Sequence, residues 1–220
     1  MKNHEQEIVE FIPDMVEDLW WVFHLSQDIY PGVQHDLTKA FCQCEIQVVS
    51  EHLSEPFFRI LFQDTMTDVL FQISSPDDLA PYLFLGIKAD FVLPPETPAS
   101  RLNADLFLEY GKLCYEILRP KHAFAENLNT HIEMADVDAS RLTHICWANL
   151  FGPRFVKGIG REILINAPAW RNENLGDGGI LYVLAASPYL YRGPRQYWEA
   201  ARQYFRQHIP RPIVWSDMPQ

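Results

Sequence analysis

The stretch HICWANLFGPRFVKGIGREILINAPAW, residues 144–170, comes nearest to a chemical motif in this chain. Gly158 and Gly160 form a G-x-G beside Lys157, and Cys146 stands two residues from His144. A dinucleotide cradle needs a third glycine and must lie between a strand and a helix, because each glycine has its own steric task. Here Ile163 occupies the third position, and no Gly-Lys-Ser or Gly-Lys-Thr occurs anywhere. The better reading starts at Gly152, which ends a strand. Pro153 then takes a first helical position, and Phe155, Val156 and Ile159 make a short apolar face. Cys146 and His144 resemble a nucleophile and base, but nothing in the sequence places an oxyanion hole beside them.

Metal chemistry finds equally little support. His131-Ile132-Glu133 matches half of a zinc-deaminase signature, yet Cys146 is the one cysteine downstream where two ligands are required. Cys42-x-Cys44, with His35 and His52 nearby, reads as two thiols on the dry face of a strand, since zinc favours a turn that lets sulfurs converge. The carboxylate pairs Asp77/Asp78 and Asp136/Asp138 read as solvated surface. No catalytic residue, cofactor or metal is therefore expected. Arg192, Arg195, Arg202, Arg206 and Arg211 stand among Tyr189, Tyr191, Tyr197, Tyr204 and Phe205, a mixture that can grip single-stranded nucleic acid. Ordinary amphipathic helix composition explains it as well, and overall acidity opposes phosphate binding.

The elements that would carry these residues follow from periodicity. Met15, Leu19, Val22 and Phe23 predict a short helix capped by Asp14, and residues 41–49 predict a strand. Residues 57–73 fit a helix or a hairpin. Residues 82–93 read as a central strand, and residues 98–118 as a helix with Leu102, Leu106, Tyr110, Leu113 and Ile117 on one face. Residues 121–140 read as irregular with some strand near His131–Met134. Residues 142–151 and 179–186 read as strands. The last helix, 194–209, buries Trp198, Ala201, Phe205 and Ile209, and the proline-rich tail is extended. The interleaving predicts one α+β domain over residues 1–220, a mixed β-sheet with helices packed mainly on one face.

Composition frames the function. Hydrophobic residues make up 48% of the 220, enough for a real core. No apolar run approaches the roughly 18 residues that span a bilayer, the start does not read as a secretory signal, and the four cysteines are expected to be reduced thiols. A cytoplasmic location follows as an expectation. The net charge is −11. Residues 1–110 hold 5 Lys and Arg against 19 Asp and Glu, a net of −14, whereas residues 111–220 are mildly basic at +3. An acidic N-terminal half repels nucleic acid and attracts basic partners.

WANLFGPRFV (147–156), GREILINAPAW (160–170) and NLGDGGILYVLAASP (174–188) together resemble the terminal part of bacterial polymorphic-toxin immunity proteins and related uncharacterised bacterial domains. The resemblance covers about the last 80 residues, and its motifs are structural: Trp147, Asn149, Gly152, Gly178 and Gly179 carry over as scaffold positions. It implies a non-catalytic antidote that binds and blocks a cognate toxin, and an acidic inhibitor would be steered quickly to a basic one. Asp64, Asp68, Asp77 and Asp78 are the candidate rim charges of the partner-binding face, with Trp20 and Trp21 as anchors if exposed. An enzyme with an unrecognised site, or a nucleic-acid binder using the C-terminal arginines, remain the alternatives.

Overall fold

A computed structural model of the chain describes residues 18–25, 30–54, 57–75, 82–88, 97–126, 132–186, 188, 196–211 and 213–215. Its frame is a nine-stranded sheet of β1 (Asp18–His24), β2 (Ile46–Ser54), β3 (Phe57–Asp64), β4 (Leu70–Ser75), β5 (Tyr82–Lys88), β6 (His122–Glu126), β8 (Ala148–Phe151), β9 (Arg171–Asn174) and β10 (Ile180–Val183). The order is β2-β3-β4-β5-β1-β6-β8-β10-β9. The α+β class is as expected, but every ladder of this sheet is antiparallel rather than mixed. Parallel pairing occurs between β7 (His144–Ile145) and β11 (Val214–Trp215), which form a separate two-stranded ribbon.

The sheet's centre corrects one expectation. Residues 18–24 are a strand, not a helix, and β1 pairs with β5 on one side and β6 on the other. Leu19, Val22 and Phe23 do recur at helical spacing, but Trp20 and Trp21 fill the gaps. Such a run is apolar on all sides, which suits a strand with both faces covered. Leu19, Trp21 and Phe23 enter one core and Trp20 and Val22 the other. Asp14 and Met15 lie outside the described residues.

The first core lies under α1 (Val33–Gln43) and α2 (Pro98–Leu118). Val33, Leu37 and Phe41 recur every four residues and bury α1's inner face, so the expected strand at 41–49 begins at Ile46 instead. Cys42, on the helix's outer side, and Cys44, just past its end, are consequently exposed, not packed on a dry face. Helix α2 spans the expected residues; of the expected face Tyr110 is buried and Leu106, Leu113 and Ile117 are half-buried, but the stripe is shifted toward Ala104, Phe107, Leu108, Cys114 and Tyr115, and Leu102 is 52% exposed. Gly111 explains the rotation: a Cβ there would collide with the Trp21 indole, so the helix brings its glycine against the tryptophan.

The second core lies under α3 (Met134–Asp138), α4 (Pro153–Ile159), α5 (Arg161–Ile165) and α6 (Gln196–His208). Helices thus cover both faces of the sheet's C-terminal part, where mainly one covered face was expected. Of residues 121–140, expected to be irregular, the described parts hold β6 and α3, and Met134 begins α3 instead of lying in a strand; residues 127–131 lie outside the described residues. The expected strand at 142–151 breaks into β7 and β8, because the Asn149 amide donates to Cys146 O at 3.0 Å and accepts from Cys146 N at 3.3 Å. Pro153 starts α4 as read from the sequence, and Gly160, with φ of 108°, separates α4 from α5. Trp198, Ala201 and Phe205 on α6, and Ile209 just past its end, are all buried.

Candidate interaction face

Strands β2–β5 come from the acidic half of the sequence and β6, β8, β9 and β10 from the mildly basic half, and the described residues up to 110 hold eight Asp and Glu against four Lys and Arg. In the acidic half, β3 and β4 close a hairpin over residues 65–69. The sequence QDTMTDV lies between two runs of alternating buried residues, Phe58, Ile60, Phe62 and then Phe71, Ile73, which resolves residues 57–73 as a hairpin.

Asp64 holds this turn together. Its Oδ1 accepts hydrogen bonds from the backbone N–H groups of Met66 and Thr67, each at 2.9 Å. Its Oδ2 accepts the hydroxyl proton of Tyr110, reaching across from α2. Its backbone N–H donates to Val69 O and its carbonyl accepts from Asp68 N, both at 2.9 Å. The Thr65 hydroxyl donates to Glu45 O at 3.0 Å, tying the turn to the loop before β2, and the Gln63 amide donates to Asp68. Burial pushes the Asp64 carboxyl up, but the hydrogen bonds from Tyr110, Thr67 and Met66 outweigh it and hold the group below the usual carboxylate range. Burial, reinforced by the hydrogen bond and charge of Asp64, pushes the Tyr110 phenol far above its ordinary value, so it stays a donor.

Two residues here occupy the left-handed region without being glycine: Glu45 at φ of 62° and Asp68 at 58°. Such positions cost about 1–2 kcal/mol each and persist where the surroundings over-determine them. The turn so fixed presents Met66, which is 86% exposed. Leu102 at 52% and Trp170 at 38% are the other large exposed apolar side chains among the described residues. An unbranched thioether adapts to irregular partner surfaces.

The expected partner residues therefore separate. Asp68 is exposed at the turn, as a rim charge must be. Asp64 is 8% exposed and acts as the turn's pin rather than as a rim charge. Trp20 and Trp21 are 3% and 0% exposed and cannot be anchors. Trp21 donates its indole N–H to Phe107 O at 2.9 Å, while the Trp20 ring lies over Gly86, where a Cβ would strike it. Asp77 and Asp78 lie outside the described residues. Met66, Tyr110 and Glu45 were not singled out from the sequence. A lone methionine inside a polar turn is a readable signal, but Tyr110 lies 46 residues from Asp64, and no local pattern joins them.

The residues with catalytic types are placed differently. Cys146 is buried, and burial, with Glu126 adding to it, drives its thiol well above the ordinary value, which removes the thiolate a nucleophile needs. His122 is buried with both ring nitrogens lacking a hydrogen-bond partner, stacked against His24 at 5.4 Å, Phe151 at 5.4 Å and Phe155 at 5.2 Å. A shallow pocket of about 170 Å³ lies between α2 and the turn before β10. Two of its lining charges, Arg119 and Asp177, pair with each other at 3.3 Å, and its Lys112 pairs with Glu173 on β9 at 3.2 Å. Gly158 packs against Ser140, where a Cβ would clash, so it serves helix packing. On α6, Phe205 is core and the Tyr204 ring stacks on His208 at 4.1 Å, which takes both from an arginine–aromatic grip. Among the described residues, no three His, Cys, Asp or Glu side chains are grouped to hold a metal, and no helix is long and apolar enough to cross a membrane.

Comparison with protein-family models, curated proteins and solved structures finds no match.

Proposed function

We propose that the chain is a non-catalytic immunity protein that binds and neutralises a basic bacterial toxin in the cytoplasm, using the turn at residues 65–69 as a contact point. The carrying observation is Met66: an 86% exposed apolar side chain on a turn fixed by Tyr110, Asp64 and Glu45. A turn whose backbone is already held loses little backbone freedom when a partner closes over it, and the flexible thioether can then fit the partner's surface. Asp68 and Glu45 flank it as exposed acids, and the −14 charge of residues 1–110 would speed encounter with a cationic partner. The resemblance of residues 147–188 to immunity proteins supports the same reading.

Co-expression with the protein encoded next to this one tests the proposal. Growth arrest by that protein alone, relieved by the wild-type chain and less well by M66D, is the expected result. Relief that is equal for M66D, or no arrest and no complex, contradicts it.

A further inference from the structure

The sheet has two edges, and they are finished differently. Strand β9 is four residues long, and both its charges are tied down: Arg171 pairs with Glu109 at 2.7 Å and Glu173 with Lys112 at 3.2 Å. A short edge carrying ion pairs is a poor template for another chain. Strand β2 is nine residues long, IQVVSEHLS, with no lysine, arginine or proline. Among the described residues it is interrupted by the bulge between Val48 and Ser50, beyond which residues 50–54 run in unbroken register with β3. Every second residue of an edge strand turns its N–H and C=O outward, unclaimed by its own sheet.

This open edge adjoins the turn described above, since Ile46 at the start of β2 is opposite Asp64. Glu45 and Glu51 are exposed along it and the strand holds no Lys or Arg, while the exposed Arg59 of β3, opposite His52, lies one strand further in. A second copy would set this acidic end against an identical one. An extended segment with lysines or arginines at alternate positions meets opposite charge instead.

We infer that β2 accepts an extended, cationic segment of the partner as a tenth strand, beginning beside Met66. The inference rests on the proposed toxin-binding role and adds its mode: backbone ladder bonds supply affinity, and alternate side chains read the rim of β2.

Amide hydrogen exchange tests it with a defined probe, a blocked alternating Lys–Val peptide long enough to span the strand. Saturating peptide should slow exchange at the outward amides of residues 50–54 by about tenfold or more. The amides of residues 171–174 should be unchanged. The exposed double variant S50K/E51K should lose the effect while keeping the thermal midpoint of the wild type. Unchanged exchange at residues 50–54, equal slowing by an alternating Glu–Val peptide, or slowing confined to residues 171–174 would overturn the inference. The peptide has no pocket for Met66, so the outcome does not depend on the turn. A toxin that binds through Met66 and leaves the β2 amides exchanging freely would refute the added strand alone.

Discussion

The Tyr110 phenol, on a helix, donates its proton to the Asp64 carboxylate at the end of a strand, and the same carboxylate holds the backbone of Met66. Through this one side chain the helix holds the backbone from which the exposed methionine projects. Tyr110→Phe removes the donor and leaves a buried carboxylate oxygen with less company. The expected loss is about 1–3 kcal/mol in urea unfolding. The pH dependence should change as well. The stability that Asp64 contributes is present above the usual carboxyl range and is lost as pH falls through its lowered folded value, so Y110F should flatten that acid limb.

His122 should make the fold sensitive to mild acid. Burial first, then neighbouring His24 and His144, lowers its affinity for a proton, while the unfolded chain takes one up near pH 6.5. The sign follows: below about pH 6.5 the unfolded state binds more protons, and stability falls by up to ~1.4 kcal/mol per pH unit. His24, whose ring meets both His122 and Tyr82, belongs to the same cluster. His122→Phe, placed among Phe124, Phe151 and Phe155, should fold and show a shallower slope of urea midpoint between pH 7 and pH 5.

Gly111→Ala separates packing from helix propensity. In a helix interior, alanine is favoured over glycine by about 1 kcal/mol. Here the added Cβ strikes the Trp21 indole, and overpacking costs about 1–3 kcal/mol. A lower thermal midpoint for G111A is expected; a higher one would show that Trp21 has room to move.

Asp68→Lys should act on encounter rather than on the fold. The residue is exposed at the turn, and its charge is part of the acidic end. Association with a basic partner should slow and lose part of its salt dependence, with dissociation nearly unchanged. Reversing Asp64 at the same time would confound the measurement, because Asp64 is the pin and the turn would change shape.

The parts legible in the sequence were those with clean local periodicity. The face Trp198–Ala201–Phe205–Ile209 is where spacing put it, as are the helix start at Pro153 and the buried Phe155 and Val156 behind it, with Ile159 half-buried. The misread parts were decided by distant partners. Residues 18–24 are a strand because they sit between β5 and β6, and α2 is turned by the fit of Gly111 to Trp21. In the candidate site, Asp64 and Asp68 were picked for their charge alone. The pairing of Asp64 with Tyr110 and the exposure of Met66 depend on a helix that packs across the hairpin, a relationship without a local signature.

Dissociation kinetics of Met66→Ala, measured against the neighbouring gene's product on a biosensor surface, test the central claim most directly. Truncating an exposed anchor on a fixed turn should speed dissociation by about tenfold, or ~1.4 kcal/mol, and leave association unchanged. The urea midpoint should stay at the wild-type value, because an 86% exposed side chain contributes little to the core. A complex that forms normally and dissociates from M66A at the wild-type rate would contradict the account and place the contact elsewhere on the molecule.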